Sequence, residues 1–97
     1  MTRYGPRPPV VVVKPNAFIQ ALDESGLTVR PLAHAAAMPV STVGAICTAA
    51  RRAVEDNLPA EDFPHTTLFN ARALARALGR QPADLFAEPS VIAGGLR

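Results

Sequence analysis

Few side chains in this chain could do covalent chemistry, and their spacing narrows the choice further. A thiol beside an imidazole can form a nucleophile and base pair, and the chain holds one cysteine, Cys47, with two histidines, His34 and His65. The histidines stand far apart with no nucleophile pattern beside them, and Cys47 falls on the apolar side of a helical repeat, where a thiol serves as a small core residue. These residues lack metal-ligand spacing, and a lone cysteine cannot form an internal disulfide. The expectation is no enzyme, metal, cofactor or small-molecule substrate, and a reducing, cytoplasmic setting for the free thiol.

The arginines carry more information. Residues 28–52 hold Arg30, Arg51 and Arg52 without an acid, and residues 1–15 hold Arg3, Arg7 and Lys14 without an acid. Glu55, Asp56, Glu61 and Asp62 crowd into 55–62. With a net charge of only +2, the chain is charge-segregated rather than strongly basic, an arrangement that suits one surface facing a polyanion. Arg72, Arg76 and Arg80 recur every fourth residue and so share one helix face, turned to solvent, paired with the acidic block or facing the polyanion.

The elements that must position these groups are helical. At 97 residues with 48% hydrophobic content, one domain with a modest core is expected. Aromatic content of 5% and an Ala- and Leu-rich middle favour an all-α bundle of four to five helices over a sheet. The domain is expected over 16–88, after an extended arm over 1–15 and before a tail over 89–97 whose "GGLR" should fray. Pro6, Pro8, Pro9 and Pro15 exclude helix from the arm. Its four valines, Val10 to Val13, are too short a run for a signal peptide or a membrane span. They leave open a disordered or loosely docked arm, or an edge strand pairing with a second subunit.

Asn16 is the expected N-cap of a first helix, with Phe18, Ala21, Leu22 and Ser25 on one face and Gly26 as its stop. Thr28 then caps "VRPLAHAAAM", where Pro31 is tolerated in the first turn. Pro39 breaks this helix, and Ser41 or a neighbour starts a third one, apolar at Val43, Ile46, Cys47, Ala50 and Val54 and running past Arg52. "EDNLPAEDFPHTT" is a loop with one helical turn around "PAEDF". Thr66 or Thr67 caps a helix with Leu68, Ala71, Leu74, Ala75 and Leu78 inward and Gly79 at its end, and "PADLF" adds a last turn bringing Leu85 and Phe86 to the core.

Ala33, Met38, Val43 and Ile46 meet the demands of two helices packed closely across a tight turn, as in a helix-turn-helix or in any helical hairpin. Here the chain resembles the Xre/Cro repressor-type helix-turn-helix family of phages and bacteria. The resemblance rests on Leu32-Ala33, the turn "AMP", the following "VST", and Val43 and Ile46. A second match follows in "ARALARALGRQPADLF", with Leu74-Ala75, Leu78-Gly79 and Asp84-Leu85-Phe86. Including a weaker likeness in helix 1, the similarity covers 16–87.

The resemblance implies a lambda-repressor-like fold and a Cro-like regulator or repressor that occupies double-stranded DNA, associated with the nucleoid when bound. It also implies a possible homodimer reading half-sites about one helical turn apart. Three departures stand out. Ala37 occupies the turn position that commonly holds Gly; extra residues, the acidic block among them, precede the closing helix; and the outward positions of helix 3 fall on Val40, Ser41, Thr42, Gly44 and Ala45. None of the five can make a bidentate base contact, so Ser41 and Thr42 would read bases weakly, with methyl groups meeting thymine. Affinity would then come from phosphates, through Thr28, Arg30, Arg51, Arg52 and helix N-termini, with Arg3 and Arg7 serving solubility or entering a minor groove. The other reading of the same residues is a protein-interaction module, an antirepressor, host-factor inhibitor or adaptor, whose small-residue helix 3 docks on a partner.

Overall fold

The computed structural model of the chain describes residues 10–88. Strand β1 (Val10–Val13) leads into α1 (Pro15–Ser25), α2 (Val29–Ala36) and α3 (Val40–Glu55). A single 3-10 turn (Ala60–Asp62) and strand β2 (His65–Thr67) follow, then α4 (Leu68–Leu78), α5 (Pro82–Leu85) and strand β3 (Phe86–Ala87). The chain is mostly helical, with five α-helices and a small sheet among the described residues, so the expected all-α class is corrected. No helix among these residues is long and apolar enough to cross a membrane.

The correction begins at the valines. A run of β-branched residues favours extended backbone, and β1 lies in the middle of the sheet, antiparallel to β2 on one side and β3 on the other. Val11 stands opposite Thr66, and Val13 opposite Phe86. With both edges paired inside the chain and Val11, Val12 and Val13 buried, the segment is neither a loose arm nor an edge strand for a second subunit. Its end is anchored further: the Val13 and Lys14 amides donate to the Pro64 and Leu85 carbonyls at 2.8 Å, and Lys14 Nζ donates to the Ala83 carbonyl at 2.9 Å. Because β2 precedes α4 and β3 follows α5, β1 closes the ring that holds the C-terminal helices against the rest.

Helix α1 is capped two residues earlier than the expected Asn16. Lys14 is the N-cap and Pro15 the first helical residue, where the missing N–H costs nothing and the fixed φ suits a helix. Phe18, Ile19, Ala21 and Leu22 are buried, and the Phe18 ring meets Phe86 edge-on at 6.0 Å. Ser25, expected on that face, is exposed: its hydroxyl donates to the Leu22 carbonyl and accepts from the Leu27 amide.

Helix α2 ends at Ala36, two residues short of the expected Met38, because Ala37 turns left-handed at φ 55°. The Ala37 amide then donates to the His34 carbonyl and the Met38 amide to Ala33 at 2.9 Å, a Schellman closure that folds Met38 back onto the core. The same closure recurs with Asn57 after α3 and Gly79 after α4. Helix α3 starts at Val40 behind Pro39 rather than at Ser41, and its buried stripe is Val43, Ile46, Cys47, Ala50 and Ala53. Val54, expected inside, is 37% exposed, while Ala53 beside it is buried. Of the two expected candidates, Thr67 rather than Thr66 caps α4 by accepting from the Asn70 amide at 3.1 Å.

Candidate nucleic-acid interface

Helix α3 packs on both α1 and α2, which bury one side of it and leave the other to solvent. Ser41, Ala45, Thr48 and Arg52 succeed one another along the open side at intervals of three or four and are all exposed. Val40 at the start of the helix is 41% exposed, and Thr42, Gly44 and Ala49 are half-buried at the flanks. Up to Ala49 no side chain on the open face is longer than Val or Thr, so the backbone itself lies close to the surface. Thr48 was missed by sequence reasoning, although its position seven residues after Ser41 could have found it.

Gly44 sharpens this picture. A glycine inside a helix costs roughly 0.5–1 kcal/mol relative to alanine. A Cβ built at Gly44 would meet only Val29 Cγ1 at 3.6 Å, an ordinary contact, and Gly44 is not at a positive φ. Neither packing nor backbone conformation therefore demands glycine at this position.

Cations border the open face. Arg30 lies in the first turn of α2 and is exposed, as is Arg52 in the last turn of α3. Neither forms a salt bridge with the described residues. Arg51 behaves differently, its Nη2 standing 3.2 Å from Asp23 Oδ1 at the end of α1. The first turns of α2 and α3 receive no side-chain cap from Thr28 or Pro39, so their leading amides remain available to an anion. Thr28 is thus an N-cap by position, with its hydroxyl uncommitted.

An acid borders the same face from the segment after α3. Asp62 lines a shallow groove together with Ser41, Ala45, Thr48, Arg52 and Leu58. Of the arginines expected to face solvent or the acidic block, Arg80 pairs with Glu24 of α1. The structure therefore brings Val40, Ser41, Ala45 and Arg52 to one surface, sets Thr42 and Gly44 at its edge, and places Arg30 and Arg51 on its flanks. Arg3 and Arg7 lie outside the described residues, as does the tail over 89–97.

The residues with potential covalent chemistry are not assembled. His34 and His65 are exposed on α2 and β2, and Cys47 is buried in α3. Burial pushes the thiol pKa up, an effect only partly countered by the nearby Arg51 guanidinium. Among the described residues no group of three or more His, Cys, Asp or Glu is placed to hold a metal ion. No protein-family model, curated protein or solved structure matches this chain.

Proposed function

We propose that the protein binds double-stranded DNA through α3, with α2 and α3 acting as a helix-turn-helix, and regulates transcription by occupying its site. The observation that carries this reading is the open face of α3: anchored on its inner side by Val43, Ile46 and Ala50, it presents Ser41, Ala45 and Thr48 outward around a glycine that the fold does not require. A helix fits the major groove, and short side chains let it sit deep there. Ser41, Thr42 and Thr48 supply hydroxyls, while Val40 and Ala45 supply methyl contacts. Thr28, Arg30, Arg51 and Arg52 take phosphates, which give most of the affinity and its salt dependence.

The test is selection from a random duplex pool at low salt, followed by sequencing of what the protein retains. An enriched motif supports the reading, and a two-fold motif adds a dimer. Retention no better than background by folded protein refutes it.

A second reading is favoured by one observation. Asp62 shares the groove with Ser41 and Arg52, putting a carboxylate on the side from which phosphates would approach. In that reading the face docks on another protein, as an antirepressor, host-factor inhibitor or adaptor would. Indifference to DNA together with a stoichiometric protein complex is its expected result.

A further inference from the structure

Helix α1 ends against the usual rule. Its last turn holds no basic residue but two acids, Asp23 and Glu24, at the end where the helix dipole disfavours negative charge. Both acids have partners far away in sequence, Asp23 with Arg51 and Glu24 with Arg80. The two pairs lie in different places. Glu24 and Arg80 border a depression with Ala17, Gln20 and Asp84, between α1 and α5. Asp23 and Arg51 stand in a cleft of about 510 Å³ with Thr28, Thr48, Arg52 and Glu55, beside the open face of α3.

We infer that Asp23 is a positioning residue that withholds Arg51 from phosphate and so sets the affinity of the interface. The inference rests on the DNA-binding reading above. Arg51 lines a cleft that Thr28 and Thr48 also border, beside the start of α2. In the free protein its guanidinium is held at 3.2 Å by the Asp23 carboxylate, with the two side chains 46% and 61% exposed. An exposed pair of this kind is weak enough to exchange for a phosphate. Each encounter with DNA must nevertheless break it before Arg51 can contribute, whereas Arg30 and Arg52 have no such contact among the described residues. The pair therefore lowers affinity without removing the cation, and keeps Arg51 from extending toward any passing anion.

The experiment compares wild type, Asp23→Asn, Arg51→Ala and the double variant for binding a fluorescently labelled mixed-sequence duplex across a salt series. Thermal melting checks that each is folded. Asp23→Asn is expected to tighten binding roughly two- to five-fold, the range set by the strength of an exposed ion pair. The gain should vanish in the Arg51→Ala background, and Asp23→Glu should restore the wild-type value. An equal gain with and without Arg51 would show simple repulsion between Asp23 and DNA and overturn the inference, as would no gain at all. Absence of binding by folded wild type and Asp23→Asn alike would refute the DNA-binding reading and this inference together, a result distinct from wild-type binding that Asp23→Asn leaves unchanged.

Discussion

Replacing Gly44 with alanine separates what the fold needs from what the interface needs. Gly44 sits in the first half of a 16-residue helix, where alanine is favoured by roughly 0.5–1 kcal/mol because glycine loses more backbone freedom on folding. The new methyl would find Val29 Cγ1 at 3.6 Å and no other heavy atom outside its own helix backbone and chain neighbours within 4 Å, so no clash offsets the gain. Contact with one carbon adds only about 0.1–0.2 kcal/mol. The net expectation is stabilisation by about 1 kcal/mol, which for a domain of this size raises Tm by roughly 4–8 °C. Far-UV circular dichroism melts measure the shift, and urea titration should move the midpoint without changing the slope. Duplex retention should fall in the same variant, because Gly44 borders the groove lined by Ser41, Ala45 and Thr48 and the added methyl would narrow it. A lower Tm would refute the packing argument. A higher Tm with undiminished retention would refute close backbone approach at this position.

Ala37→Gly removes a Cβ from a left-handed residue, where it costs roughly 1–2 kcal/mol, and returns part of that as unfolded-chain entropy; a net gain of about 0.5–1 kcal/mol should appear in the same melts. Thr67→Ala deletes the side-chain cap of α4 and should cost about 1 kcal/mol in urea unfolding. Arg52→Ala should weaken binding on all duplexes alike and flatten the salt slope by roughly 0.9 for a lost phosphate contact, with an unchanged slope counting against that role. Cys47 has its thiol pKa raised by burial, so alkylation at neutral pH should be slow relative to a free thiol. Its protonated form contributes stability that is full below the unfolded-state pKa and is lost as pH rises through the higher folded value, so alkaline pH should lower the denaturation midpoint. Cys47→Ser should remove that alkaline loss, and its persistence would locate the effect elsewhere.

The helices were legible wherever two local signals agreed. Gly26 and Gly79 stop α1 and α4 because a left-handed stop suits glycine, and the stripe from Ala71 to Leu78 keeps helical spacing. Where a residue adopts a conformation its type rarely favours, the boundary was misplaced: Ala37 ends α2 at φ 55° although it has a Cβ. The sheet was beyond local pattern. Strands β2 and β3 hold three and two residues, too few to show alternation, and Val11 pairs with Thr66 across most of the chain. The candidate site was legible in part: of the five outward positions that the family resemblance implied, Val40, Ser41 and Ala45 are exposed, whereas Thr42 and Gly44 are half-buried. Arg51's tie to Asp23, Arg80's tie to Glu24 and Asp62's place beside Ser41 depend on how α1, α3 and the loop are folded together, which no spacing encodes.

Charge placement decides how such an interface would behave. The described residues hold seven cations, Lys14, Arg30, Arg51, Arg52, Arg72, Arg76 and Arg80, against all eight acids of the chain. The described part is therefore close to neutral and slightly acidic, and general attraction to a polyanion is weak. One of the three cations nearest α3 is tied to Asp23, and Asp62 shares the groove of another, Arg52. Non-specific affinity, which scales with the number of phosphates neutralised, should then be low. A contact-poor recognition face cannot compensate through strong base contacts. Occupancy of a site would thus depend on shape fit along the backbone of α3 and on cations beyond the described core, and a duplex that does not fit would be released quickly. In this arrangement selectivity would come from shape fit, with the withheld charge keeping non-specific affinity low.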